Sequence, residues 1–370
     1  MIGARLAAAA ASLALGLALG LVAVAPRPAA AQPAPEVSSA FQLSGSTFTL
    51  QVENDFFTGP FNRDRHYSSG LRANWLSPPV ASTPDWLRAF TDLPESVLGF
   101  TDSRQAGPVR RRFGISVGQS IYTPQNKAAS VLLDNDRPYA AWLYVGLSLQ
   151  TVRFDASKEV PDAIRQDLWE LDLGVVGPWA LGRQVQNGFH ALIGDDQSNG
   201  WRHQIHNEPG FNLTFERRWR VGRYKLINHP LKLRFDMVPV AGFTLGNVNT
   251  YATAGGIVRI GENLANDFGP PRIRPSLPGS ESIDPESEFG WYLFAGASGE
   301  AVLRNITLDG NTFRNSASVD KKPFVGNLTA GLALFVGRSR LTYTYVLRSK
   351  EFDGQKGFDQ YGALTFTQQF

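Results

Sequence analysis

Apolar and polar residues alternate along most of this chain. Phe48-x-Leu50-x-Val52 is followed by Tyr67-x-Ser69-x-Leu71-x-Ala73-x-Trp75 and by Phe113-x-Ile115-x-Val117. Leu143-x-Val145-x-Leu147-x-Leu149, Trp169-x-Leu171-x-Leu173-x-Val175 and Phe211-x-Leu213-x-Phe215 continue the series. Later come Leu231-x-Leu233-x-Phe235-x-Met237 and Leu341-x-Tyr343-x-Tyr345-x-Leu347. The intervening positions are largely polar or small, such as Ser68, Gly70, Arg72 and Asn74, or Lys232, Arg234 and Asp236. Period two with one apolar face is the pattern of a β-strand. It predicts twelve strands, at 46–55, 66–76, 111–122, 140–154, 165–177, 209–220, 230–240, 250–260, 289–308, 323–337, 338–350 and 360–370.

Such strands suit a soluble sandwich or a membrane barrel. In the sandwich the apolar face packs inward; in the barrel it faces lipid and the polar face lines the interior. Three observations favour the barrel. Many runs reach about ten residues, the length of a tilted transmembrane strand. Charges recur on the non-lipid face, where a barrel can pair them. The chain ends as a strand with Leu364, Phe366 and terminal Phe370 on one parity. The expected fold is therefore all-β: a twelve-stranded antiparallel transmembrane β-barrel with a short helix in an outer loop. An even count puts both termini in the periplasm, with outer loops after strands one, three, five, seven, nine and eleven. Two inner connections, 77–110 with a short helix near residues 86–90 and the Pro-, Gly- and acid-rich 261–288, break the rule of short periplasmic turns.

Residues 1–31 read as a leader. Arg5 precedes an apolar run over residues 6–25, and Ala29-Ala30-Ala31 forms a small-residue exit before Gln32. That is the pattern of a secretory signal peptide, leaving 32–370 as the outer-membrane barrel domain. With no cysteine there is no lipid attachment and no disulfide framework. Removing Arg5 and Arg27 from 36 basic residues leaves 34 against 33 acidic ones, a balance that argues against nucleic acid as partner. The basic run Arg110-Arg111-Arg112 reads as an interfacial anchor.

The candidate chemistry gathers at the outward end. Arg183-Gln184-Val185-Gln186-Asn187-Gly188-Phe189-His190 reads as a short helix, with Gln186 and His190 four apart on one face. Asp195 and Asp196 follow it. Glu53-Asn54-Asp55 closes strand one, Asp64-Arg65-His66-Tyr67-Ser68 opens strand two, and residues 122–136, with Lys127, follow strand three. Asn54, Asp55, Ser68, Gln186 and Asp196 are oxygen donors, which suit a hard cation such as calcium. His190 suits proton abstraction from water, and Lys127 suits oxyanion stabilisation. Each has a plainer reading: Asn54 and Asp55 as turn formers, Ser68 as inward barrel lining, Lys127 as a solvated charge, Asp196 as a turn residue. His203-x-x-His206 lacks the companions of a zinc site.

At these residues the chain resembles the outer-membrane lipid A 3′-O-deacylases of the LpxR type. The resemblance rests on Glu53-Asn54-Asp55, Asp64-Arg65-His66-Tyr67-Ser68-Ser69-Gly70, Gln119-Ser120-Ile121-Tyr122-Thr123-Pro124 and Asp136-Arg137-Pro138-Tyr139-Ala140. It continues through Gly174-Val175-Val176-Gly177-Pro178 to Gln184-Val185-Gln186-Asn187-Gly188-Phe189-His190, then Trp201 and Asn207-Glu208-Pro209-Gly210. It implies a calcium-dependent esterase at the outer rim that removes the 3′-linked acyloxyacyl group from lipid A, acting as a monomer among outer-membrane lipids. The family's catalytic His falls on His190 and its loop Lys on Lys127. Its metal site falls on Asn54, Asp55, Ser68, Gln186 and Asp196. Ser68 stands where the family commonly has Thr, and Asp196 is shorter than the family's carboxylate. The alternatives are a phospholipase A-like esterase, for which no Ser-His-Asn arrangement is evident in the sequence, and a porin or adhesin without enzymatic chemistry.

Overall fold

The computed structural model describes residues 45–61, 66–80, 109–155, 162–194, 197–227, 232–262, 264, 267–270 and 288–370. Residues 1–31, read above as a leader, residues 86–90, Asp195, Asp196 and most of 261–288 lie outside the described residues.

The strands are β1 (Thr47–Asn54), β2 (His66–Leu76), β3 (Val109–Thr123), β4 (Ala140–Phe154), β5 (Ala163–Val176), β6 (Glu208–Trp219) and β7 (Val221–Lys225). They continue with β8 (Leu233–Gly246), β9 (Asn249–Glu262), β10 (Phe289–Asn305), β11 (Phe324–Val336), β12 (Ser339–Arg348) and β13 (Asp359–Gln369). All neighbours pair antiparallel in one sheet. β6 pairs β8 from Asn212↔Gly246 to Arg218↔Val240, and β7 extends the same ladder from Val221↔Met237 to Lys225↔Arg234. β6 and β7 are thus two halves of one stave interrupted at Arg220, and the sheet closes with twelve. β1 and β13 pair the first strand with the last, Thr47↔Gln369 to Asn54↔Gly362. Closure leaves no open edge, which is what lets strands cross lipid. No described helix is long and apolar enough to cross a membrane.

The alternation sorts the wall. On β3, Phe113, Ile115 and Val117 are exposed while Arg110, Arg112 and Ser116 are buried. Arg110 and Arg112 therefore point into the barrel, against the anchor expected of them. Arg112 Nη1 donates to Thr47 Oγ1 at 3.3 Å, and Arg110 lies 5.0 Å over the Phe154 ring. Interior charges are paired as a barrel requires: Arg217 with Asp167 at 2.7 Å, Arg259 with Asp236 at 2.6 Å, Arg348 with Glu300 at 2.8 Å, and Arg72 with Glu170.

The end of the barrel where β1 starts and β13 ends also holds the connection after β9. There residues 267–270 turn into the interior. Asp267 accepts from Arg259 Nη1 and, at 2.6 Å, from Arg340 Nη1. Its carbonyl accepts from Arg259 Nη2 at 3.1 Å and from Arg220, and Phe268 O accepts from Arg218 Nη1 at 3.1 Å. Phe268 is buried among Val152, Phe154, Ala163 and Val238. Four arginines thus hold a short segment against the inner end of the barrel.

A candidate active site on the outside of the wall

The opposite, outer end holds the candidate site residues, and several polar residues there lie on an unexpected face. On β3 the lipid-facing parity of Phe113, Ile115 and Val117 continues through Gln119, Ile121 and Thr123. On β4 the parity of Val145 and Leu147 continues back to Leu143 and Ala141. Yet Gln119, Ile121, Thr123 and Ala141 are all buried. Something covers the wall from outside, and it is the β5–β6 connection.

That connection folds back at once. Gly177 (φ 85) makes the turn, and a Cβ there would meet the His206 backbone at 2.5 Å. A 3-10 turn at Pro178–Ala180 leads to Leu181 (φ 60) and to α1 (Gly182–Ile193). Gln119 Nε2 donates to Ala180 O at 2.6 Å. Ala180 and Trp201 pack on Ile121, Tyr139 and Ala141. Gly182 lets the helix reach the wall, since a Cβ would lie 2.5 Å from Ala141 Cβ. The C-cap, Gly194 (φ 72), donates its N–H to His190 O.

α1 is amphipathic. Gly182, Gln186 and His190 form its buried stripe, while Leu181, Val185 and Leu192 are exposed. The helix packs against β3 and β4, so the stripe with Gln186 and His190 faces the wall. The expected helix and the shared face of these two residues are both present. The Gln186 amide is buried with neither its oxygen nor its nitrogen hydrogen-bonded. An unsatisfied buried amide costs about 1–3 kcal/mol, so it marks a place where a ligand would be stabilised.

The plainer reading of Ser68, as inward barrel lining, does not hold. β2 pairs Tyr67↔Tyr122 and then Ser69↔Ile121, so Ser68 is the extra residue of a β-bulge. The bulge sends it to the outer face, where its Oγ lies 2.6 Å from Thr123 Oγ1. Asn54 is on the same face of β1. Its Nδ2 donates to Ser68 O at 2.9 Å and its Oδ1 accepts from Phe56 N at 2.7 Å. Asn54 is thus a turn former as well, with one lone pair left on its Oδ1. Asp55 is buried and opens a 3-10 turn that Thr58 Oγ1 caps on its carbonyl at 2.7 Å. Glu53 goes the other way, into the barrel, where Tyr67 donates to it at 2.9 Å. Lys127 is half-buried, and its carbonyl accepts from Tyr139 Oη at 2.9 Å and Asn199 N at 3.0 Å, stitching the β3–β4 and β5–β6 loops together. Asp196 lies outside the described residues. Sequence reasoning passed over Gln119 and Thr123 as individual site residues. Their signal was a change from apolar to polar on the lipid-facing parity of one strand.

Among the described residues no three His, Asp or Glu side chains gather as a ready metal site. The oxygens present are the Asp55 carboxylate, the unpaired Gln186 amide and the Asn54 and Ser68 side chains. Oxygen-only donors fit a hard cation of the calcium kind better than zinc.

Closed wall and interior ion pairs define an outer-membrane β-barrel, here with polar residues buried under a helix on its lipid-facing side. The profile of the outer membrane protein LpxR family matches residues 13–370, and the chain belongs to that family. Among solved structures it is similar to LpxR from Salmonella typhimurium, with a TM-score of 0.66 at 20% identity over 88% of this chain and 100% of that one. A weaker likeness, TM-score 0.45 at 9% identity, links it to the beta domain of the Bordetella autotransporter Brka, over 88% of this chain and 100% of that one. No curated protein matches by sequence.

Proposed function

We propose that this protein is a calcium-dependent esterase that removes the 3′-linked acyloxyacyl group from lipid A in the outer leaflet, acting as a monomer. One observation carries the reading: a histidine and an unpaired glutamine on the inner stripe of a helix that covers polar residues on the lipid-facing wall. Polar side chains there would be costly against acyl chains. Polar groups held between wall and cover on the lipid-facing side suit a substrate whose ester sits at the lipid–water boundary.

In this reading His190 takes a proton from water as the oxygen attacks the ester carbonyl. The tetrahedral adduct collapses with cleavage of the bond to the sugar 3′-oxygen. The imidazolium then returns the proton to that oxygen, giving a free acyloxyacyl carboxylate and a 3′-hydroxyl. Calcium, when bound by Asn54, Asp55, Ser68, Gln186 and Asp196, would supply electrostatic stabilisation of the developing oxyanion. Lys127 would add to it if its amine reaches the carbonyl oxygen.

The test is a mass spectrum of lipid A from cells with and without this chain, and from cells carrying His190→Ala. Loss of one 3′ acyloxyacyl mass with the native chain only is the expected result. Unaltered lipid A with cleaved glycerophospholipid would favour the phospholipase alternative. General-base catalysis contributes roughly 10²–10⁴-fold, so His190→Ala should fall by at least about a hundredfold with the barrel still folded. The porin alternative is disfavoured by the segment held at the inner end.

A further inference from the structure

The bulge that turns Ser68 outward is held from the opposite side of the wall. His66 is one of only two described non-glycine residues with positive φ, at 65°. A left-handed conformation at an L-residue costs roughly 1–2 kcal/mol, and such strain persists where the surroundings over-determine it. The surroundings here are specific. The His66 ring is buried, and its Nδ1 lies 2.6 Å from Asp359 Oδ1 on the first residue of β13. Phe352 meets the ring edge-on with centroids 5.3 Å apart. Nε2 is 3.7 Å from Asp136 Oδ1, and Asp136 itself accepts the backbone N–H groups of Gln125 at 2.7 Å and Arg137 at 2.9 Å. Three outer connections, after β1, β3 and β12, therefore meet at one imidazole.

Asn or Gly would adopt this backbone at lower cost, and a turn alone needs neither a ring nor a carboxylate partner. Over the next two residues the chain must place Tyr67 inward, against Glu53, and Ser68 outward, against Thr123. We propose that His66 is a positioning residue for the outer cleft. Paired with Asp359, it fixes the start of β2 so that the bulge presents Ser68, and Asn54 bonded to it, toward α1. The inference deepens the esterase reading and rests on it.

The experiment compares His66→Gly, which relieves the strained φ and deletes the ring, with His66→Asn, which keeps a left-handed backbone and a donor toward Asp359. Purified barrels are scored for folded fraction by heat-modifiable gel migration, for kcat and KM per folded barrel, and for calcium binding by titration calorimetry without substrate. Groups that orient ligands typically matter by roughly 10–100-fold. His66→Gly should raise the half-saturating calcium about tenfold and lower kcat by a similar factor, with KM little changed. His66→Asn should recover much of both. A folded His66→Gly barrel with native calcium binding and native kcat overturns the proposal. So does a variant that only reduces the folded fraction, because that is a purely structural role. His190→Ala measured alongside separates the two readings: if it stays active the esterase site is misassigned, whereas the calorimetric shift in His66→Gly still reports on the bulge.

Discussion

Asp267→Ala removes the side chain through which the inner-end segment binds Arg259 and Arg340. In the native protein its two oxygens take Arg259 and Arg340, and the residue is 1% exposed. Arg259 retains Asp236, bonded at 2.8 and 2.6 Å. Arg340 loses the carboxylate bonded to it at 2.6 Å, while its 3.5 Å contact to Thr367 is among those that remain. Removing one partner of a buried pair costs about 3–5 kcal/mol. The site is at the mouth of the barrel, where water can enter once the carboxylate is gone, so the low end applies. About 3 kcal/mol is roughly a hundredfold shift in the folding equilibrium. Urea titration of the refolded barrel in lipid vesicles, read by gel migration, measures it. The double variant Asp267→Ala with Arg340→Met should recover most of the loss, because deleting both charges leaves neither uncompensated. A single-variant loss below about 1 kcal/mol would show the pair to be as weak as an exposed one and refute the reasoning.

Three further outcomes follow from the cleft and the topology. Chelation should stop turnover, with calcium restoring it better than magnesium, since irregular oxygen sites suit the larger ion; full activity in excess chelator would remove the metal. Gln186→Met should stabilise the calcium-free barrel by about 1–3 kcal/mol, because it deletes an unpaired buried amide, while weakening calcium binding; a variant that destabilises the metal-free form would show that the amide is satisfied after all. Ser130→Cys and Lys350→Cys, on outer loops, should react with an impermeant maleimide on intact cells, and Lys232→Cys only after the outer membrane is opened; the cysteine-free native chain gives no background, and the reverse pattern would invert the barrel.

Most of the wall was legible because period two is local: each strand declares its faces without reference to its neighbours. The predicted strand at 230–240 instead runs Leu233–Gly246, since Pro239 and Gly242 interrupt the apolar pattern without breaking the ladder. The helix was legible too, from four-residue spacing in a chain of strands. What was hidden depends on pairing. The bulge at Ser68 appears only when β2 is laid against β3, and one extra residue there moves a side chain to the other face. The break at Arg220 appears only against β8. Residues 267–270 read as loop because their partners, Arg218, Arg220, Arg259 and Arg340, lie on separate stretches of the chain, and no local pattern announces such convergence.

The two sides of the wall at its outer end follow opposite rules, and that difference decides where chemistry can occur. Inside, polar groups can find partners on their own or nearby strands, and Glu53, Tyr67 and His66 do so. Outside, the strands would ordinarily present apolar side chains to lipid, so Gln119, Thr123 and Ser68 are stable only under a cover that excludes acyl chains. The cover supplies one partner, Ala180 O for Gln119, but leaves Gln186 unpaired. A barrel selected for stability alone would have filled these positions with Leu or Val and dispensed with the helix. The exposed Trp179, Leu181, Val185 and Leu192 on the cover extend the apolar surface of the wall past its polar patch. A lipid substrate could then reach His190 by moving sideways within the leaflet, with its acyl chains remaining in an apolar environment.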